Sequence, residues 1–154
     1  MAASLRNRAI TAGDLAGIRR MDPTRLDAAG FWKLAGIHLD HALPGQAEAR
    51  NRAEVAWGAA LVAMATLGGL QRHGERLGRA LASAGYSELR LSRILRADHE
   101  RLLDEVPQLA RFLAAKQQPA DLVDAVILLT GPESMRDARR RSLARDYFAH
   151  TDTP

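Results

Sequence analysis

VAWGAALVAMATLGGL, residues 55–70, runs sixteen positions without a formal charge between Glu54 and the pair Gln71-Arg72. Its alanines, with Leu61, Met64 and Leu67, favour helix over strand, and apolar side chains occupy every side of the helical wheel. A helix that is apolar all round must be surrounded. At about 1.5 Å per residue the run falls short of the ~20 residues that span a bilayer, and Gly58, Gly68 and Gly69 lower its hydrophobicity further. It therefore reads as the buried central helix of an all-α bundle, with no membrane partner. The rest of the chain is expected to pack amphipathic helices around it.

The chain has 154 residues, the size of one domain with a core of its own. A single helical domain over 1–154 is expected, with a loose arm at 1–10 and a loose tail at 149–154. There is no cysteine, so disulfides and thiolate metal sites are excluded. No apolar run follows Met1 that could act as a signal peptide, which makes cytoplasm the expected compartment. The net charge is +4, and Lys33 and Lys116 are the only lysines, so twenty of the twenty-two basic residues are arginine. Codon usage in a GC-rich genome produces that bias; so does phosphate contact, because arginine presents a planar fork of donors matched to phosphate oxygens.

Outside the central helix the punctuation is helical throughout. Thr11 and Asp14 form a capping box for a helix through Arg20, with Leu15 and Ile18 inward. A second helix is expected over 24–39, carrying Phe31, Trp32, Leu34 and Leu39 into the core, and Pro44-Gly45 ends it. The central helix should start within 46–53 and end at His73-Gly74, and a short one over 75–84 stops at Gly85. Ser87 caps the next, and the apolar positions from Leu91 to Leu113 keep one helical phase, so nearly collinear segments are expected over 88–117. Asp98 on the stripe and Pro107 predict breaks there. Pro119 and Asp121 open a helix closed by Thr130-Gly131, and Pro132-Glu133 opens a last one to about Phe148, burying Leu143, Ala144, Tyr147 and Phe148. No strand, repeat or low-complexity segment is expected.

Catalytic chemistry finds no constellation. His38 and His41 share a helix face beside Asp40, but no third and fourth ligand accompany them, and a polar helix end accounts for them. Asp98, Glu100, Asp104 and Glu105 alternate with Arg101, the pattern of ordinary i, i+4 pairing on a solvated face. The glycines at 68, 69, 74 and 78 match neither a dinucleotide fingerprint nor a phosphate loop, and no serine lies in a nucleophile elbow. The chain does not read as an enzyme, and no cofactor or metal is implied.

The arginines are better organised. With Leu91, Ile94 and Leu95 inward, Arg93 and Arg96 fall on the opposite side one turn apart, flanked by Arg90. Between 72 and 96 six arginines face only Glu75 and Glu88. In the last helix Arg136 and Arg140 form one i, i+4 row, Arg141 and Arg145 a second, and Arg139 stands apart. A solvated charged face is the competing explanation of both groups.

At that last helix the sequence RRRSLARDYF resembles the terminal signature of the CasB family, the small subunit of the type I-E CRISPR effector complex, Cascade. Gly13-Asp14-Leu15-Ala16-Gly17-Ile18-Arg19-Arg20 is similar to the family's opening Gly-Asp-x-Ala-x-Leu-Arg-Arg, Phe31-Trp32-Lys33-Leu34 to its Phe-Trp-x-Leu, and residues 91–97, LSRILRA, to its Arg-Leu-x-Arg-Leu-Leu-x-Ala. The four occur in order across residues 13–148. Leu143 departs from the pattern, standing where the family usually has tryptophan, and forgoes an aromatic interaction in the core. The resemblance implies a non-catalytic helical protein stacked in two copies among the other Cascade subunits, where it brackets the guide RNA and target DNA, gives the displaced single strand a basic path and stabilises the R-loop. The nucleic-acid-binding set is then Arg19, Arg20, Lys33, Arg90, Arg93, Arg96, Arg139, Arg140, Arg141 and Arg145. Two rivals come from the residues alone: LGRALASAGYSELRLSRIL reads as a helix-turn-helix that could enter a major groove, and a helical interaction scaffold would need no nucleic acid.

Overall fold

A computed structural model of the chain describes residues 10–151. The expected loose arm, but for Ile10, and residues 152–154 of the expected tail lie outside them. Eight α-helices follow in order: α1 (Ala12–Arg20), α2 (Ala29–His38), α3 (Ala47–Leu67), α4 (Leu77–Ser83), α5 (Glu88–Arg96), α6 (His99–Ala115), α7 (Val123–Thr130) and α8 (Glu133–Thr151). Short 3-10 turns at Asp40–Ala42 and Gly68–Leu70 precede and follow α3. No strand forms among the described residues; a lone parallel bridge joins Gln71 to Ala120.

α3 is the axis of the bundle. Gly58 to Ala65 are all buried, walled by α1, α6 and α7. By length and composition α3 could cross a membrane, but protein already covers this apolar stretch. Alanines on so much of its surface let the neighbouring helices approach closely, and dispersion then replaces the bulk that larger side chains would supply. α3 ends at Leu67 instead of reaching His73-Gly74, because Gly68 turns into the left-handed region at φ 52°. α8 packs across α4 and α7 on the far side, with Leu143 fully buried.

Local signals account for several helix ends. The Thr11–Asp14 capping box forms, with the Asp14 N–H donating to Thr11 Oγ1 and the Thr11 N–H to Asp14 Oδ2, both at 3.0 Å. The Thr11 N–H first, and then the Lys33 ammonium at 2.9 Å, hold the Asp14 carboxyl down to about 2. A depressed carboxyl pKa stabilises the fold above its unfolded value near 3.8 and loses that contribution as pH falls toward 2. Asp14→Asn should therefore melt below the wild type at neutral pH, and the gap should close on acidification. A gap independent of pH would show that the Asp14 charge contributes nothing.

Other expectations are corrected. α2 begins at Ala29 and not at residue 24: Asp22 Oδ1 accepts from the Thr24 N–H at 2.8 Å, and buried Leu26 takes φ 51°, which reverses the chain before a helix can start. Trp32 is not core. It is 49% exposed, and its indole N–H donates to the Leu26 carbonyl at 2.8 Å, satisfying the polar edge while one face stays open. α4 starts at Leu77, two residues late. Asp98 does break the helix, but as the N-cap of α6, accepting from the Arg101 N–H at 2.9 Å. Pro107 does not; α6 runs through it, because burial of Leu102, Val106, Leu109, Ala110 and Leu113 outweighs one missing donor. α7 opens only at Val123, and α8 continues past Phe148 to Thr151, so residues 149–151 are helix and not tail. Phe148 is 39% exposed; Tyr147 takes the inward position.

Candidate nucleic-acid interface

α5 is the clearest presenting element. Ser87 caps it, Leu91 and Ile94 are fully buried, and the alternating polar positions leave Arg93 and Arg96 exposed on the outer face. The turn at Ala97 redirects the chain into α6, whose first half carries Arg101 along the same side. Between α5 and α6 lies an open groove of about 530 Å3, with Arg93, Arg96 and Arg101 facing Asp104, Glu105 and Gln108. Among the described residues none of these three arginines forms an ion pair, although acids stand within the same groove. The expected pairing of Arg101 with Asp104 and Glu105 is therefore absent. Arg101 is an addition to the sequence-based set. The signal for it is Asp98, because an N-cap there starts a new helix and turns Arg101 toward α5.

Arg90 sits at the other end of the groove with its guanidinium carbon 5.9 Å from the Tyr86 ring centre and 5.8 Å from that of Phe112. Tyr86 is buried, and its hydroxyl, like that of Tyr147, is pushed up by desolvation. The Tyr147 hydroxyl donates to the Tyr86 carbonyl and ties α8 to the loop between α4 and α5.

Four of the ten candidates are committed to the fold. The Arg19 Nε–H donates to the Ala65 carbonyl at 2.9 Å, answering one of the open acceptors at the C-terminal end of α3. Lys33 is held by Asp14. Arg139 pairs at 3.2 Å with Asp124, a 7% exposed carboxylate pushed up by burial and held back by that arginine. Arg140 donates to the Ala97 carbonyl at 3.0 Å and to Asp137 at 3.1 Å, fixing the corner between α5 and α6 from α8. Its Nε is buried without a partner among the described residues.

The remaining six stay exposed. Arg20, Arg141 and Arg145 form no ion pair among the described residues, and Arg90, Arg93 and Arg96 line the groove and its end. Within the basic run 72–96, Arg76 is taken by Asp146 at 2.9 Å, while Arg72 and Arg79 are exposed and form no ion pair among the described residues. Arg136, which shares a row with Arg140, caps the preceding turn through the Gly131 carbonyl at 2.7 Å.

Elsewhere the site chemistry is sparse. Asp40 is bound by Arg50 at 2.6 Å, and among the described residues no three His, Asp or Glu side chains gather into a metal-ligand set.

The family model described as CRISPR-associated protein Cse2 matches residues 14–148. A chain in the crystal structure of E. coli Cascade bound to a PAM-containing dsDNA target is 26% identical, with a TM-score of 0.64 over 96% of this chain and 94% of that one. No curated protein matches.

Proposed function

The chain belongs to the Cse2 family, the CasB small subunits of type I-E Cascade, and from that membership we propose that it holds nucleic acid through phosphate contacts as a non-catalytic subunit of that complex, in the cytoplasm. The observation that carries this reading is the outer face of α5, where Arg93 and Arg96, joined by Arg101 from α6, are exposed without an acid partner among the described residues although carboxylates lie within the same groove. Free guanidinium groups on a rigid helix meet phosphate oxygens at little reorganisation cost. Such contacts carry no sequence information, which suits a subunit whose complex reads sequence by base pairing.

The displaced single strand, the target DNA and the guide RNA are the ligands, other Cascade subunits and a second copy of the chain the protein partners. R-loop formation exchanges one duplex for another of about equal stability, so a few backbone contacts along the displaced strand are enough to tip it. Stabilising the R-loop in antiviral defence is the role this supports.

Purified protein should bind single strands weakly and indifferently to sequence, with log affinity falling linearly in log salt by about 0.7 per phosphate contact. Selection from a random duplex library tests the same claim from the other side. A preference of roughly a thousandfold or more for one duplex, on the order of a specific regulator's ratio, would overturn it in favour of a helix-turn-helix made by α4 and α5.

A further inference from the structure

The groove between α5 and α6 changes character along its length. Past Arg93 it closes into a recess of about 210 Å3 bordered by Arg90, Glu105, Gln108 and the rings of Tyr86 and Phe112. The two rings form a T-shaped pair with centres 5.0 Å apart. Tyr86 is buried and Phe112 half-buried, so Phe112 supplies the accessible aromatic surface.

Two cations converge on that ring: the Arg90 guanidinium carbon at 5.8 Å and Lys116 Nζ at 5.9 Å, and neither forms an ion pair among the described residues. A ring reached by two free cations is unusual in a chain with only seven aromatic residues, and for a bare phosphate path it is superfluous. We propose that this recess accepts one base of a bound single strand, stacked on Phe112 beneath Arg90, while Arg93, Arg96 and Lys116 hold the flanking phosphates. The proposal rests on the phosphate-binding reading above and adds base contact to it.

The spacing suits insertion. A flat ring between Phe112 and a guanidinium needs about 7 Å, two contacts of roughly 3.5 Å each, so the exposed Arg90 side chain has to lift by only about 1 Å. Arg90 then stacks on the outer face of the base and keeps its charge in water. Glu105 and Gln108 stand where the base edge arrives. A carboxylate there only accepts hydrogen bonds, and every base offers it an N–H donor from a ring nitrogen or an exocyclic amine, whereas it would repel a phosphate placed at the same point. That gives the acid in a basic groove a function.

The experiment compares the full-length protein on a single strand of deoxycytidines with its binding to a strand of the same length made of abasic units, across a series of salt concentrations. The wild type is expected to bind the cytidine strand at least about tenfold more tightly, the effect of one stacked base, with parallel salt lines because the phosphate contacts are shared. Phe112→Leu keeps an apolar side chain and should reduce that ratio toward one while leaving affinity for the abasic strand unchanged. If Phe112→Leu fails to fold, Arg90→Ala reads the same ratio from the solvent side. Equal wild-type binding of the two strands, or an unchanged ratio in the variant, overturns the base recess alone. Binding to neither strand overturns the phosphate reading with it.

Discussion

Gly78→Ala is expected to lower the melting temperature by roughly 4–8 °C, although alanine is the better helix former by about 1 kcal/mol. A Cβ on Gly78 would overlap the Leu143 carbonyl oxygen and come within 2.8 Å of the Tyr147 nitrogen and 2.9 Å of Asp146 Cβ. The first two obstacles are backbone, which no rotamer change removes. Only separation of α4 from α8 relieves them, and that gap reaches the surrounding core. Overpacked sites cost about 1–3 kcal/mol and occasionally more, and with backbone on the far side the upper part of that range applies. At roughly 2–4 °C per kcal/mol for a chain of this size, the propensity gain is overwhelmed.

Gly36→Ala is the matched control. Nothing lies within 4 Å of a Cβ there, so the same substitution inside α2 should raise stability by up to about 1 kcal/mol. Both variants are read by thermal unfolding. A Gly78→Ala protein that melts with the wild type would mean that α4 and α8 do not approach as closely as described. The disturbance should also reach the groove, since α8 holds the Tyr86 carbonyl through Tyr147.

The contrast between those two glycines is not visible in the sequence. What is visible there is what local chemistry determines: a run of sixteen uncharged residues has to be buried, Thr11 with Asp14 and Ser87 cap their helices, and Leu91 and Ile94 point inward. The α2 region misleads because propensity there runs on from residue 24, while the outcome is fixed by a left-handed Leu26 and the Trp32 indole that bonds to it. Phe148 misleads for a similar reason: adjacent residues point about 100° apart on a helix, so along the one packed side of α8 Tyr147 holds the inward place through its hydroxyl and Phe148 turns outward.

The arginines show the same limit more sharply. Arg19, Lys33, Arg139 and Arg140 look in sequence like Arg20, Arg93 and Arg96, yet their partners lie 46, 19, 15 and 43 residues away in the chain. Long-range pairing of that kind leaves no periodic trace. An amphipathic helix with a buried stripe, as in α5, is where a sequence reading best separates exposed cations from engaged ones.

Changing Arg93 and Arg96 together to alanine should therefore weaken single-strand binding and make the slope of log affinity against log salt shallower by up to about 1.4, roughly 0.7 for each phosphate no longer neutralised. The helix should survive. Leu91 and Ile94 are untouched in the core, the Ser87 cap remains, and alanine has the highest helix propensity, so the melting temperature should match the wild type or rise slightly. Arg19→Ala should do the reverse: it leaves the Ala65 carbonyl without its donor, lowers the melting temperature, and leaves the salt slope where it was. The pair of measurements separates impaired phosphate binding from an impaired fold. If the double variant keeps both the wild-type melting temperature and the wild-type slope, Arg93 and Arg96 are ordinary surface charges. The phosphate path would then have to run over Arg141 and Arg145 on α8, because Arg139 and Arg140 are already engaged with Asp124 and with the Ala97 corner.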